Sequence, residues 1–304
     1  MSKKRVLRIL SLAFSCALVF SLCGCVVNEA PEESSSEDSS AESEPSLATT
    51  SPAICEILDA LEYDNVIGVP ETDTELPERY DGVTTIGAPM TPDVEILASL
   101  DPDYVISPQT LESSLAEEYQ TAGLSSIFLD LTSVEAMYTA IDSLGELLDR
   151  EEQAAELRAE YEDYMENYYS EKDEGPSVLI LMCYPDGFFL VVTEDAYVGS
   201  LVEMAGGENV YADYEEEQEG FISINPEDMV QKDPDIILVY AHYSEEAAFA
   251  YMEEEFETND AWSYFTAVQE DEIYYLPLET FNMSANLSWT EALEYLEPIL
   301  YGEE

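Results

Sequence analysis

Apolar and polar positions alternate in two regimes along this chain. Short apolar runs bounded by turn residues read as strands at Val66 to Val69, Thr84 to Ile86, Tyr104 to Ile106 and Ile127 to Leu131. Helical spacing fills the gaps between them, at Pro92 to Leu100 and Ser133 to Leu148. Such alternation predicts an α/β fold with a mostly parallel sheet. From Arg150 to Lys172 there is neither Gly nor Pro, and Ala154, Leu157, Tyr161, Tyr164 and Tyr168 recur at helical spacing. This predicts one helix of about 34 Å at 1.5 Å per residue, stopped by Gly175-Pro176. A second series follows: strands at Val178 to Cys183, Phe188 to Val192, Ile236 to Ala241 and Ile273 to Leu276, with helices at Tyr197 to Ala205 and near Ser288 to Leu300. Pro185-Asp186-Gly187 predicts a hairpin turn between the first two of these strands.

The two series rhyme. Glu95-Ile-Leu-Ala-Ser-Leu-Asp101-Pro-Asp103 precedes one apolar run and Glu227-Asp-Met-Val-Gln-Lys-Asp233-Pro-Asp235 precedes another, with equal spacing from Glu to Asp-Pro-Asp. Proline disfavours helix in the residue before it, so each phrase reads as a short helix, a stop and a strand. The expected architecture is two Rossmann-like α/β lobes, residues 51–149 and 175–304, joined by a single long helix at 150–174. Ligands of such sheets bind at the carboxyl ends of the strands, here in a cleft between lobes.

Residues 1–24 read as a secretory leader: Lys3, Lys4, Arg5 and Arg8 precede an apolar stretch from Ile9 to Leu22. The run Ser21-Leu22-Cys23-Gly24-Cys25 resembles a bacterial lipobox, which implies cleavage before Cys25 and a diacylglycerol on its sulfur. Residues 25–50, rich in Ser, Glu and Pro, read as a solvated tether between membrane and domain. Cys55 and Cys183 are the cysteines left to the domain, too few and too far apart for a disulfide framework or a zinc site.

Formal charge is −59, from 68 acidic and 9 basic residues, and four of the basic residues fall in the leader. A chain with five cations after processing assembles no basic patch, which excludes nucleic acid as a partner. The chain's 46% hydrophobic content, with 21 Tyr and 10 Phe, is ample for a core.

His242 is the one histidine of the chain, placed where the run Asp235-Ile-Ile-Leu-Val-Tyr-Ala-His reaches a loop. An imidazole there is either a hydrogen-bonded loop residue or a ligand. Met90, in Gly87-Ala-Pro-Met90-Thr-Pro92, leaves a strand of the first series, so each residue maps to the cleft edge of its own lobe. A thioether and an imidazole facing across one cleft suit the two axial positions of haem iron. A loop methionine also serves as ordinary packing.

Several segments carry a resemblance. Leu76-Pro-Glu-Arg-Tyr80, Ile86-Gly-Ala-Pro-Met-Thr-Pro-Asp-Val-Glu95, Asp235 to His242, Glu255-Phe-Glu-Thr-Asn-Asp-Ala-Trp262 and Phe281-Asn-Met-Ser-Ala-Asn-Leu287 resemble the haem-binding lipoproteins of iron-regulated surface determinant systems. These belong to the substrate-binding proteins of ABC importers for haem, siderophores and cobalamin. The likeness runs from about Tyr63 to the end. It implies haem held between Met90 and His242, delivery to a permease and ATPase, a monomer, and haem-donating surface proteins as further partners. It also makes Glu95 and Glu227 the carboxylates that dock on the permease. A siderophore or cobalamin receptor of the same fold is the alternative.

Arg79 is expected either at a haem propionate or paired with Glu78 or Asp81. Tyr80, Tyr184, Tyr243 and Phe281 are expected to flank the macrocycle, and Met283, the rival thioether, to line the pocket. Ser284 or Asn286 is placed either to cap the last helix or to offer backbone N–H groups to a carboxylate. No hydrolase, metalloprotease or phosphate-loop motif occurs, so an enzyme is not expected.

Overall fold

In the first half the chain forms β1 (Leu47–Thr49), α1 (Pro52–Ala60), β2 (Val66–Val69), β3 (Thr84–Thr85), β4 (Gly87–Ala88), β5 (Thr91–Pro92), α2 (Val94–Leu100) and β6 (Tyr104–Pro108). It continues through α3 (Glu112–Ala122), β7 (Ser126–Leu129), α4 (Val134–Leu148) and α5 (Glu151–Tyr168). The second half holds β8 (Ser177–Tyr184), β9 (Phe188–Val192), α6 (Tyr197–Met204), β10 (Glu208–Asn209), β11 (Phe221–Ile222), α7 (Pro226–Met229) and β12 (Ile236–Ala241). It ends with α8 (Glu245–Thr258), α9 (Thr266–Gln269), β13 (Ile273–Leu276) and α10 (Trp289–Tyr301). This computed structural model describes residues 44–168, 175–212, 214 and 220–302. The expected leader, Cys25, most of the expected tether, and residues 169–174 of the expected long helix lie outside the described residues.

One sheet runs β3-β2-β1-β6-β7 with every pairing parallel. The other runs β11-β9-β8-β12-β13, with β8, β12 and β13 parallel and β9 antiparallel to β8, while β10 joins the start of β8. Strands β8 and β12 are apolar along nearly their whole length because helices cover both faces, the burial expected of parallel sheets. The fold is mixed α/β with parallel sheets. A continuous hydrophobic cluster runs through elements of both halves, from Leu47, Ile54 and Leu144 to Ile180, Leu201 and Leu293.

The tether assignment ends too late. Residues 47–49, given to it by sequence, form the buried strand β1 at the centre of the first sheet, between β2 and β6. Three residues are too few to show a period, and only the flanking strands make this backbone a strand. Arg150 and Asn65 hold the approach to it, bonding to the carboxylate and carbonyl of Glu44.

Helix α4 shows how the sequence enforces an element. The Ser133 hydroxyl accepts the Ala136 N–H at 3.1 Å, which caps the first turn. Met137, Ile141, Leu144 and Leu148 then fall on one buried stripe, each contributing roughly 1.5–3 kcal/mol by burial. Asp149, left-handed at φ 55°, ends α4 and separates it from α5, which packs against it. A short helix ends at left-handed Asp101 (φ 52°) before β6, and Asp233 (φ 37°) holds the same place before β12.

Candidate functional site

Strand β12 pairs with β8 as far as Ala241 opposite Cys183, so His242 emerges beside Tyr184. The His242 N–H donates to the Cys183 carbonyl at 2.9 Å, fixing the backbone where the strand ends. The ring is half-buried, edge-on to Tyr184 (4.8 Å between centroids, 65°) and to Tyr243 (5.4 Å, 73°). Nδ1 is buried and has no hydrogen-bond partner among the described residues. Burial pushes the imidazole pKa below its ordinary 6.5. His242 is therefore neutral at neutral pH, the protonation state in which imidazole binds metals.

An aromatic group surrounds it. Tyr184 stacks on Phe188 with centroids 4.1 Å apart and planes 15° from parallel, because the two face each other across the β8–β9 hairpin. The turn Pro185-Asp186-Gly187 closes that hairpin as expected, with Gly187 at φ 92°. Tyr243 Oη donates to Asp186 Oδ2 at 3.0 Å, tying the hairpin tip to the loop that follows His242. Phe188 and Tyr243 stay 46% and 43% exposed. An apolar surface left open beside a neutral imidazole is suited to a flat, aromatic ligand. Sequence reasoning named Tyr184 and Tyr243 but missed Phe188, whose position opposite Tyr184 follows from the turn length alone.

Met90 sits in the two-residue turn of the β4–β5 hairpin, which follows the carboxyl end of β3 at the edge of the first sheet. Its side chain is 57% exposed, so it serves no core-packing role. Gly87 lets the hairpin close: at φ 92° a Cβ would lie 3.0 Å from the Asp93 N–H nitrogen and 3.2 Å from the Thr91 carbonyl.

Other expected site residues are placed elsewhere. Arg79 pairs with Asp59 (2.6 Å) and Asp64, neither of them the neighbours Glu78 and Asp81, and this double pairing commits its guanidinium to α1 and the loop after it. Tyr80 is buried, its hydroxyl donating to the Tyr63 carbonyl at 2.9 Å. Phe281 is fully buried edge-on to Tyr295, and Met283 packs half-buried against the same core. The Asn286 side chain accepts the Ser288 N–H just ahead of α10, while Ser284 donates its N–H to Asn282. Arg150, Arg158 and Lys232 are also engaged, with Glu44, with Asp142 and Glu135, and over the Tyr211 ring. Glu95 is exposed in the first turn of α2, and the side chain of Glu227, in α7, lies outside the described residues.

Among the described residues, surface cavities include one of about 510 Å³ between α2 and α3 and one of about 360 Å³ where the loops after β6 and β7 meet Asp195. Carboxylates line both, and Met90 and His242 line neither. Among the described residues no cluster of three or more His, Cys, Asp or Glu side chains could hold a metal ion, and no helix is long and apolar enough to cross a membrane. Cys55 and Cys183 are buried thiols, each pushed up to about 12 by desolvation, and are inert as nucleophiles or soft ligands.

Residues 47–280 match the periplasmic binding protein family. The chain belongs to that family. Its members are substrate-binding components of transport systems rather than enzymes. The high-affinity heme uptake system protein IsdE of Staphylococcus aureus is 33% identical over 276 residues, covering 90% of this chain and 93% of that protein. The crystal structure of S. aureus IsdE complexed with heme superposes with TM-score 0.79 at 34% identity, over 85% of this chain and 99% of that one. An ABC transporter substrate-binding protein from Listeria monocytogenes EGD-e gives TM-score 0.78 at 40% identity, over 86% of this chain and 100% of that one.

Proposed function

We propose that this periplasmic-binding-family chain captures haem for an ABC importer, with Met90 and His242 as the axial ligands of the iron. The observation that carries the reading is the state of His242: neutral, half-buried, ringed by Tyr184 and Tyr243 and set at the carboxyl end of a parallel strand. The exposed thioether of Met90, at the carboxyl edge of the other sheet, supports it. The likeness to a heme-complexed relative at 34% identity agrees.

In this reading the two sheets are the cores of two lobes, α5 is the described part of the helix between them, and haem enters between the strand ends. The imidazole lone pair takes one face of the iron and the thioether the other. Exposed Phe188 and Tyr243 supply apolar contact to the macrocycle. With Arg79, Arg150 and Arg158 engaged in ion pairs, propionates take hydroxyl, backbone N–H or water partners. Cys25 anchors the protein on the outer face of the membrane, and Glu95 and Glu227 dock it on the permease that, with its ATPase, receives the haem.

The test is a haem titration of the mature protein, read by absorption. The wild type is expected to give a low-spin, six-coordinate spectrum, and Met90→Ala and His242→Ala each to lose it. Unchanged spectra and affinity in both variants overturn the axial assignment, and preferential binding of a ferric siderophore or cobalamin overturns the haem reading.

A further inference from the structure

A metal-bound imidazole is usually oriented by its second nitrogen, which donates to a carboxylate, carbonyl or water. Among the described residues none offers His242 such a partner: its Nδ1 is buried and meets no side-chain or backbone hydrogen-bonding group. Two aromatic rings do contact it: Tyr184 edge-on at 4.8 Å and Tyr243 at 5.4 Å.

Neither aromatic is left loose. Tyr184 is backed by Phe188, stacked at 4.1 Å, and the pair faces across the hairpin in register. Tyr243 is held by its hydroxyl on Asp186 at the tip of the same hairpin. The β8–β9 turn thus braces both rings that contact His242, and the Cys183 carbonyl at its base holds the His242 N–H. We propose that Tyr184, supported by Phe188, is the positioning residue of the site: an aromatic brace that orients the His242 ring toward iron in place of a hydrogen bond to Nδ1. The proposal rests on the reading of His242 as an iron ligand. Phe188 acts through Tyr184 on one side and offers its open edge to the ligand on the other.

The experiment compares Tyr184→Leu, Tyr184→Phe, Phe188→Ala and His242→Ala in the haem-loaded mature protein. Spin state is read by electron paramagnetic resonance, haem loss by transfer to apomyoglobin, and folding by circular dichroism. Tyr184→Phe keeps the ring and is expected to match the wild type. Tyr184→Leu is expected to give a mixed-spin population and about tenfold faster haem loss, the usual scale for removing an orienting partner of a metal ligand. Phe188→Ala, at an exposed hairpin position, moves the same way and carries the test should Tyr184→Leu fail to fold. A folded Tyr184→Leu or Phe188→Ala protein with a single low-spin species and wild-type haem loss overturns the proposal while leaving His242 as ligand. A wild-type spectrum in His242→Ala overturns the ligation reading, and the brace with it.

Discussion

Asp235 and Ser177 exchange hydrogen bonds across 58 residues of chain: the carboxylate accepts the Ser177 N–H at 2.9 Å and hydroxyl at 2.7 Å, and the Asp235 N–H returns to that hydroxyl at 3.0 Å. Asp103 and Ser46 do the same, at 2.7, 2.8 and 3.1 Å across 57 residues. Each clasp ties the start of a sheet's central strand to the start of its parallel neighbour, β1 to β6 and β8 to β12. The repeated Asp-Pro-Asp phrase therefore ends on a residue with a defined partner in both copies.

Ser177→Ala removes one donor and one acceptor of the second clasp and is expected to lower stability by about 1 kcal/mol in denaturant melts. The serine bonds hold both Asp103 and Asp235 below the usual carboxylate range. A depressed folded-state pKa gives stability that is present above the unfolded value and lost as pH falls through the folded one. Ser177→Ala should accordingly lose its deficit only as pH falls below the ordinary carboxylate range and through the depressed folded-state pKa of Asp235, where the carboxylate is protonated in both states. A deficit that persists unchanged in acid would show that the clasp acts through packing alone.

Under the ligation proposed above, haem binding follows the protonation of His242. Burial lowers its pKa, so the neutral, ligating form persists at pH 6.5, where an exposed histidine is half protonated. The expected Soret titration is flat from neutral pH down through about 6.5 and falls at lower pH, as protons compete with iron for the ring. Loss of the low-spin spectrum centred above pH 6.5 would contradict this.

Gly199 lies within α6, where a Cβ would stand 1.8 Å from the Thr193 carbonyl oxygen and 2.7 Å from its carbon. Backbone cannot yield as a flexible side-chain tip can. Gly199→Ala is expected to destabilise by about 3 kcal/mol or more, measurable as a fall in thermal midpoint, or to prevent folding. Near-wild-type stability would mean that α6 can slide away from the turn after β9.

Much of this arrangement was legible in the sequence. Strands β2, β9, β12 and β13 are contiguous apolar runs bounded by turn residues, and those runs placed them correctly. Helix α8 escaped notice because acidic residues crowd it and only Ala248 and Met252 are buried. Strand β1 escaped because its identity comes from its neighbours. His242 stood out as a single imidazole at a strand end, and its surroundings followed from hairpin register. The partners of Arg79 did not follow, since they lie 15 and 20 residues away and only folding brings them together. Tyr80 and Phe281 show the corresponding ambiguity: an aromatic beside a motif is equally suited to core and to pocket, and burial decides.

Glu56 is a half-buried carboxylate on α1 with a destabilising charge. Desolvation raises its pKa above the ordinary value, and only the Leu287 N–H, from the loop ahead of α10, acts to lower it. The neighbouring Cys55 thiol and Tyr197 phenol are pushed up mainly by burial, and the Glu56 charge adds to both shifts. For an acid whose folded-state pKa is raised, the stabilising contribution exists below the unfolded value and disappears as pH rises through the folded one. At neutral pH the ionised group is therefore a net burden on the fold. Glu56→Gln removes the charge and keeps an oxygen to accept the Leu287 N–H. The variant is expected to melt higher than the wild type at pH 7, with the gap closing as pH falls toward 4 and the wild-type carboxyl takes up its proton. Equal melting temperatures at pH 7 would show that solvent screens the carboxylate and that the contact between α1 and the α10 approach does not depend on its charge.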